Sequence, residues 1–342
     1  MNIELFLGII IIAVGAFASG SFSIPLGKTK DWAWEISWLI YCFSAYVVMP
    51  IAACAIFCPD FISVLMNFDK NTIIWIFLLG AIYGICNLTF GLTLRYLGLS
   101  LGFMISLGLM MVLGTIIPPA IDGRLSVLLQ QSGGTTLIIG LLIAVVGIIF
   151  SAYAGYQKDK NSTQSSNTEL DFKKGIALAL FVGVSGSSQA LGIEQGNGLA
   201  DSFIQSGTNP LFATLPVFLI MFAGSFCMTA VWCLFLAKRN GSLEQFFKNK
   251  SKALSANYLY SGLAGLLWFG NLIFFGMGKS FMGEFSFTAW GILMSLTIVC
   301  ATIWGICRGE WMRANVPTKV WMYTGLLVLI VASFVIGLSS EG

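Results

Sequence analysis

Ten apolar runs, each about twenty residues long, divide the chain, and they constrain its fold more than any other feature. They fall at 4–24, 36–58, 72–94, 99–119, 134–155, 174–194, 210–237, 256–277, 285–307 and 319–338. A helix of that length, rising about 1.5 Å per residue, crosses a hydrocarbon core of roughly 30 Å. Backbone groups in lipid must be satisfied within their own segment, and the runs show no alternating polar face, so they read as helices and not as barrel strands. Only 10% of residues are charged, against roughly 25% in an ordinary soluble domain, too few to solvate a 37 kDa globule. The first run lacks the basic segment that opens a signal peptide and carries Glu4 instead, so it reads as a retained span.

Loop charge orients the spans. Lys28, Lys30, Arg95, Lys158, Lys160, Lys173, Lys174, Lys238, Arg239, Lys248, Lys250, Lys252, Arg308, Arg313 and Lys319 fall in odd-numbered loops, 15 of the 18 basic residues. Lys70, Arg124 and Lys279 are left for the even loops. Positive charge collects on the cytoplasmic side, which puts the odd loops inside and both termini outside. The stretch around Arg95 to Gly98 is a tight turn that makes spans three and four antiparallel neighbours. The polar segment Gln157 to Thr168 is a flexible central linker, and Gly196 to Asn209 is long enough for a small outer cap.

The expected fold is therefore all-α integral membrane, with ten transmembrane helices as two inverted five-helix repeats: 1–156, a cytoplasmic linker 157–172, and 173–342. Five spans per half force the halves to cross the membrane in opposite senses, as in many secondary carriers. At an offset of 184, Asn87 falls on Asn271, Leu88 on Leu272, Phe90 on Phe274 and Arg95 on Lys279. Ser19-Gly20-Ser21 likewise matches Ser185-Gly186-Ser187. Pro25, Pro50, Pro118, Pro119 and Pro216 are placed at or near span ends, where proline terminates helices; Pro216, early in span seven, alternatively bends it at a gate.

Polar groups at membrane depth are costly and mark candidate sites. Asn87, Gln189 and Asn271 both donate and accept, which suits a hydroxyl-rich ligand; the alternative is that they bond neighbouring helices together. Tyr83, Trp268 and Trp290 supply aromatic faces nearby for the apolar side of a sugar ring, or simply pack. With no histidine in the chain, proton coupling falls to a carboxylate or a water chain, and Glu194 and Glu284 are the candidate carboxylates, unless both are exposed loop groups. Glu4, Asp31, Asp60, Asp69, Asp122 and Glu310 sit at span boundaries and read as solvated. The eight cysteines form no CxxC pair, so no metal site or cofactor is expected beyond the proton as coupling ion. A phosphate-cradling loop, a catalytic motif and a nucleic-acid patch are all missing, which argues against an enzyme or an ATP-driven pump. A uniporter or exchanger of another metabolite and a membrane-embedded sensor or channel subunit remain alternatives.

The run GAIYGICNLTFGLTLRYLGLSLG (Gly80 to Gly102), the stretch LLWFGNLIFFGMG (Leu266 to Gly278) and the terminal RGEW before a last apolar span resemble the L-rhamnose–proton symporter family, within the drug/metabolite transporter superfamily. The resemblance runs over nearly the whole chain. It implies a ten-helix carrier that takes up L-rhamnose, a 6-deoxyhexose, with a proton across the bacterial cytoplasmic membrane. The substrate-binding candidates are then Asn87, Asn271, Gln189, Trp268 and Tyr83, and the proton-coupling candidates Glu194 and Glu284.

Overall fold

The computed structural model describes residues 3–121, 123, 125–130, 133–161, 171–248, 253–282 and 289–338. Among these, ten helices are long and apolar enough to cross a membrane: α1 (Phe6–Leu26), α2 (Trp34–Phe57), α3 (Lys70–Leu97), α4 (Leu99–Ile121), α5 (Gly134–Lys158), α6 (Phe172–Gln205), α7 (Pro210–Arg239), α8 (Leu254–Phe281), α9 (Ala289–Cys307) and α10 (Val316–Ile336). No strand occurs among the described residues.

Nine helices follow the apolar runs to within a few residues. In α6 the helix continues beyond Glu194 as Asn197–Gln205, which buries Leu199, Ala200 and Phe203 and packs on α7 and on the short helix Phe61–Asn67. Hydropathy marks where lipid ends, but a helix persists wherever protein covers its apolar face. The expected linker also begins later than its composition implies, because Gln157 to Asn161 extend the helix that contains α5. Residues 162–170 lie outside the described residues.

The helices sort into two compact units, and the division falls inside α1, α3, α6 and α8. The first unit comprises Met1–Gly20, Cys86–Ala190 and Gly278–Gly342. Here α10 lies along α5, while α9 packs on α4 and on α10. The close approach of α5 and α10 depends on glycine on both sides: a Cβ on Gly325 would stand 3.1 Å from the Gly147 carbonyl oxygen, and one on Gly147 3.2 Å from that of Gly325. Between helices in lipid such contacts replace the hydrophobic drive. Gly98 alone joins α3 to α4, with φ +81°, and a Cβ on Gly102 would meet the Leu94 side chain, so the two chain segments double back on each other as the turn predicted.

The second unit comprises Ser21–Ile85 and Leu191–Met277. In it α2 packs on α7. The α3–α7 contact is equally close: a Cβ on Gly80 would overlap the Met221 carbonyl, and the Ser225 hydroxyl donates to the Gly80 carbonyl at 2.7 Å. Of two prolines in this unit, one falls at a helix end as expected and one does not. Pro216 lies in the first turn of the helix Leu215–Arg239, where its missing N–H has no partner to lose, so it starts the helix and does not bend it. Pro50 is internal to α2 and not at its end. Ahead of it, Ser44–Val48 form a π-turn, in which the Met49 N–H reaches back to the Ser44 carbonyl. A proline ring crowds the carbonyl four residues earlier and offers it no N–H, and widening the preceding turn relieves both faults.

Candidate functional site

The π-turn presents Tyr46 to α8. Ser44 donates its hydroxyl to the Gly262 carbonyl at 2.9 Å, and a Cβ on Gly265 would stand 2.7 Å from the Tyr41 carbonyl oxygen, so the absence of a side chain there lets α8 seat against the turn. One turn further along α8, Trp268 meets Tyr46 edge-on, ring centroids 5.2 Å apart and planes at 74°. Phe222 of α7 stacks on Tyr46 at 5.1 Å and meets Trp268 at 5.3 Å. Tyr83 of α3 closes the group, 6.3 Å from Trp268 and 6.2 Å from Phe222. Four helices thus contribute one ring each to a buried quartet, with Trp268 7% and Tyr83 6% exposed. The structure brings together two of the aromatic candidates and adds Tyr46 and Phe222, which sequence reasoning missed. Phe222 is one of 28 phenylalanines and carries no distinguishing signal, whereas Tyr46 is marked by standing four residues before an intraspan proline.

Asn271, in the same unit and 4% exposed, turns its amide N–H back to the Trp268 carbonyl one turn earlier in α8. That bond anchors the side chain beside the ring quartet and leaves the amide oxygen as an acceptor. Asn87 and Gln189 belong to the first unit and are equally buried, at 2% and 3%. There the Cys86 thiol donates to the Val182 carbonyl at 3.5 Å and ties α3 to α6 next to Asn87. The Ser185, Ser187 and Ser188 hydroxyls just before Gln189 all return to carbonyls of their own helix, so the glutamine is the side chain of that run not committed to its own backbone in this way.

Of the proton-coupling candidates, Glu194 is half-buried at the second unit's end of α6 and accepts the Asn197 amide at 3.2 Å. Glu284 lies outside the described residues. Glu310 departs from its solvated reading. Its carboxylate accepts the Leu99 N–H at 2.6 Å, the Ser100 N–H at 3.0 Å and the Ser100 hydroxyl at 2.9 Å, so it caps the start of α4 from 210 residues away. Glu35, which no sequence argument singled out, is 5% exposed in the first turn of α2 and accepts the Ser242 hydroxyl at 2.7 Å and the Asn240 amide at 3.0 Å.

Chemically, faces of Trp and Tyr beside an amide suit a ring that has hydroxyls on its edge and C–H groups on one face. Residues 1–341 match the family model described as L-rhamnose-proton symport protein (RhaT). The L-rhamnose-proton symporters of Klebsiella pneumoniae (strain 342) and Yersinia pestis (strain Pestoides F) are each 30% identical to this chain over 341 residues, covering 99% of it and 99% of their own length. The chain belongs to the L-rhamnose-proton symport protein family, a family of transporters and not of enzymes.

Proposed function

We propose that this multi-pass member of the family takes up L-rhamnose, or a closely related deoxy-sugar, together with a proton by alternating access. The observation that carries the reading is the match to relatives of that name along the full length of both chains. The buried ring quartet supports it from chemistry, since a 6-deoxyhexose offers both an apolar face and a methyl group to aromatic walls while keeping hydroxyls for amides. In this reading Trp268 and Tyr83 hold the apolar face of the sugar and Asn271 takes a hydroxyl. Asn87 and Gln189 are the further amides assigned to the substrate.

The same reading places the chain in the drug/metabolite transporter superfamily, as two inverted five-helix repeats in a bacterial inner membrane. The odd loops are then cytoplasmic and both termini periplasmic, on the strength of the loop charges. Proton coupling is assigned to Glu194 and Glu284, since a carboxylate whose solvation changes during transport takes up and releases a proton. The test is uptake of labelled L-rhamnose by proteoliposomes holding only this protein, with and without an imposed inward proton gradient. Concentrative uptake that a protonophore abolishes is expected. Folded protein that accumulates no L-rhamnose under the gradient would overturn the reading, and gradient-driven accumulation surviving in both Glu194→Gln and Glu284→Gln would overturn the coupling assignment.

A further inference from the structure

Below the quartet, toward loop one, the second unit contains another ring cluster that the reading above leaves unused. Trp34 stacks on Trp38 at 5.1 Å, Trp38 meets Tyr41 at 5.0 Å, and Phe22 of α1 stacks on Tyr41 at 5.2 Å. With Tyr46 one step on, these residues line α2 from its first residue up to the quartet. The helix α8 accompanies them in parallel, since Asn257 pairs with Lys30, Gly265 seats on Tyr41 and Trp268 meets Tyr46. Ser261 lies between those contacts on α8.

Two buried donors in this compartment lack an acceptor, and what sets them apart from the other unpaired groups is the stacked indoles beside them. The Trp38 indole N–H and the Ser261 hydroxyl belong to residues 2% and 0% exposed, and neither has a hydrogen-bond partner among the described residues. Several buried helical hydroxyls return to their own backbone, as Ser151, Ser185, Thr302 and Ser333 do, whereas Ser106, Thr229, Ser295 and Thr297 share the unpaired state of Ser261. A desolvated donor without an acceptor is a standing cost, and a ligand hydroxyl at this place would relieve it.

The compartment is also latched. Asn257 pairs with both the N–H and the carbonyl of Lys30, at 3.0 and 2.8 Å. Gln245 accepts from the Ala33 N–H at 2.6 Å through its side chain and from the Trp32 indole at 2.9 Å through its carbonyl. Glu35 holds Ser242 and Asn240. Loops one and seven are thereby tied together over Trp34.

We propose that Trp34, Trp38, Tyr41 and Ser261 form a second sugar subsite, closed by this latch and occupied in transit between the ring quartet and the loop-one face. It rests on the sugar-transport reading. When loops one and seven part, a sugar hydroxyl supplies the acceptor that the Trp38 N–H and the Ser261 hydroxyl lack, and the stacked indoles take the C–H face of the ring. With the latch closed, the donors go unpaired, so the subsite binds only in the state open to that face.

The test uses the full chain in membrane vesicles of each sidedness and measures labelled L-rhamnose counterflow for Trp38→Phe, which keeps a ring and removes the N–H, and for Ser261→Ala. The half-saturating concentration from the loop-one face should rise about five- to tenfold in each variant, the worth of one hydrogen bond, and stay at the wild-type value from the opposite face. Ser261→Ala should also melt no lower than wild type, because it deletes an unpaired donor, where removal of a structural hydrogen bond would lower the midpoint. Unchanged half-saturation at the loop-one face in a transporting wild-type background overturns the subsite alone, as do equal shifts from both faces. A wild type that moves no L-rhamnose overturns the transport reading and the subsite with it.

Discussion

Replacing Glu310 by Gln separates a capping carboxylate from a solvated one by the size of the loss. The carboxylate accepts three hydrogen bonds at 2.6 to 3.0 Å from Leu99 and Ser100, at the N-terminus of α4. Hydrogen bonds to a charged group contribute about 1.5–3 kcal/mol each, against about 0.5–1.5 for neutral ones. The charge also faces the positive end of the helix dipole, worth about 0.3–1 kcal/mol. Glutamine keeps one acceptor oxygen and turns N–H groups toward the other donors, so at least one bond is lost and the rest lose their charge. The expected destabilisation is about 2–3 kcal/mol, where a solvated boundary glutamate would cost no more than about 0.5. Chemical unfolding of the purified protein in detergent measures it. The partner variant Ser100→Ala removes only the hydroxyl bond, and the double variant should fall short of additivity by more than about 0.5 kcal/mol because both changes delete the same contact. A loss below about 0.5 kcal/mol for Glu310→Gln, with strict additivity, refutes the cap.

Pro50→Ala restores an N–H and removes the ring that widens Ser44–Val48, so α2 can close into a regular helix and rotate Tyr46 away from Trp268; L-rhamnose uptake should fall with folded yield unchanged, and wild-type uptake would break the link between π-turn and site. Gly80→Ala drives a Cβ into the Met221 carbonyl and breaks the Ser225–Gly80 bond, for a loss of about 2–4 kcal/mol in the same unfolding assay, whereas Ser225→Ala alone should cost about 1. Asp69 caps α3 by accepting the Thr72 N–H and hydroxyl, each at 2.8 Å, and these bonds, the backbone one first, hold its carboxyl below the usual value. Its folded pKa is lowered, so its contribution is full above about pH 4 and fades as pH falls through the folded value; Asp69→Asn should flatten that acid limb in thermal midpoints, and an unaltered limb would dismiss the cap as its source.

The ten spans were legible in the chain itself because the requirement that lipid places on a backbone is local: about twenty apolar residues suffice, whatever surrounds them. The turn at Gly98 was legible for the same reason, a single glycine at φ +81° between two apolar runs. Trp268 and Tyr83 stood out as candidates because they stand three and four residues from the intraspan amides Asn271 and Asn87, and the resemblance of Leu266 to Gly278 to a sugar-transport family agreed with the full-length family match. Other features depended on partners far along the chain. Glu310 looks like a boundary carboxylate until Leu99 and Ser100 are brought to it, 211 and 210 residues away. Glu35 becomes a buried acceptor only when Asn240 and Ser242 fold over it. The quartet around Trp268 needs one ring from each of four helices, and no local pattern in a chain with 28 phenylalanines selects Phe222. Hydropathy is a property of a segment, and the sequence alone determined the number of spans and the approximate length of nine of them. Hydrogen-bond satisfaction and ring packing are properties of pairs, so the capping glutamate, the latch and the aromatic site were decided by tertiary structure.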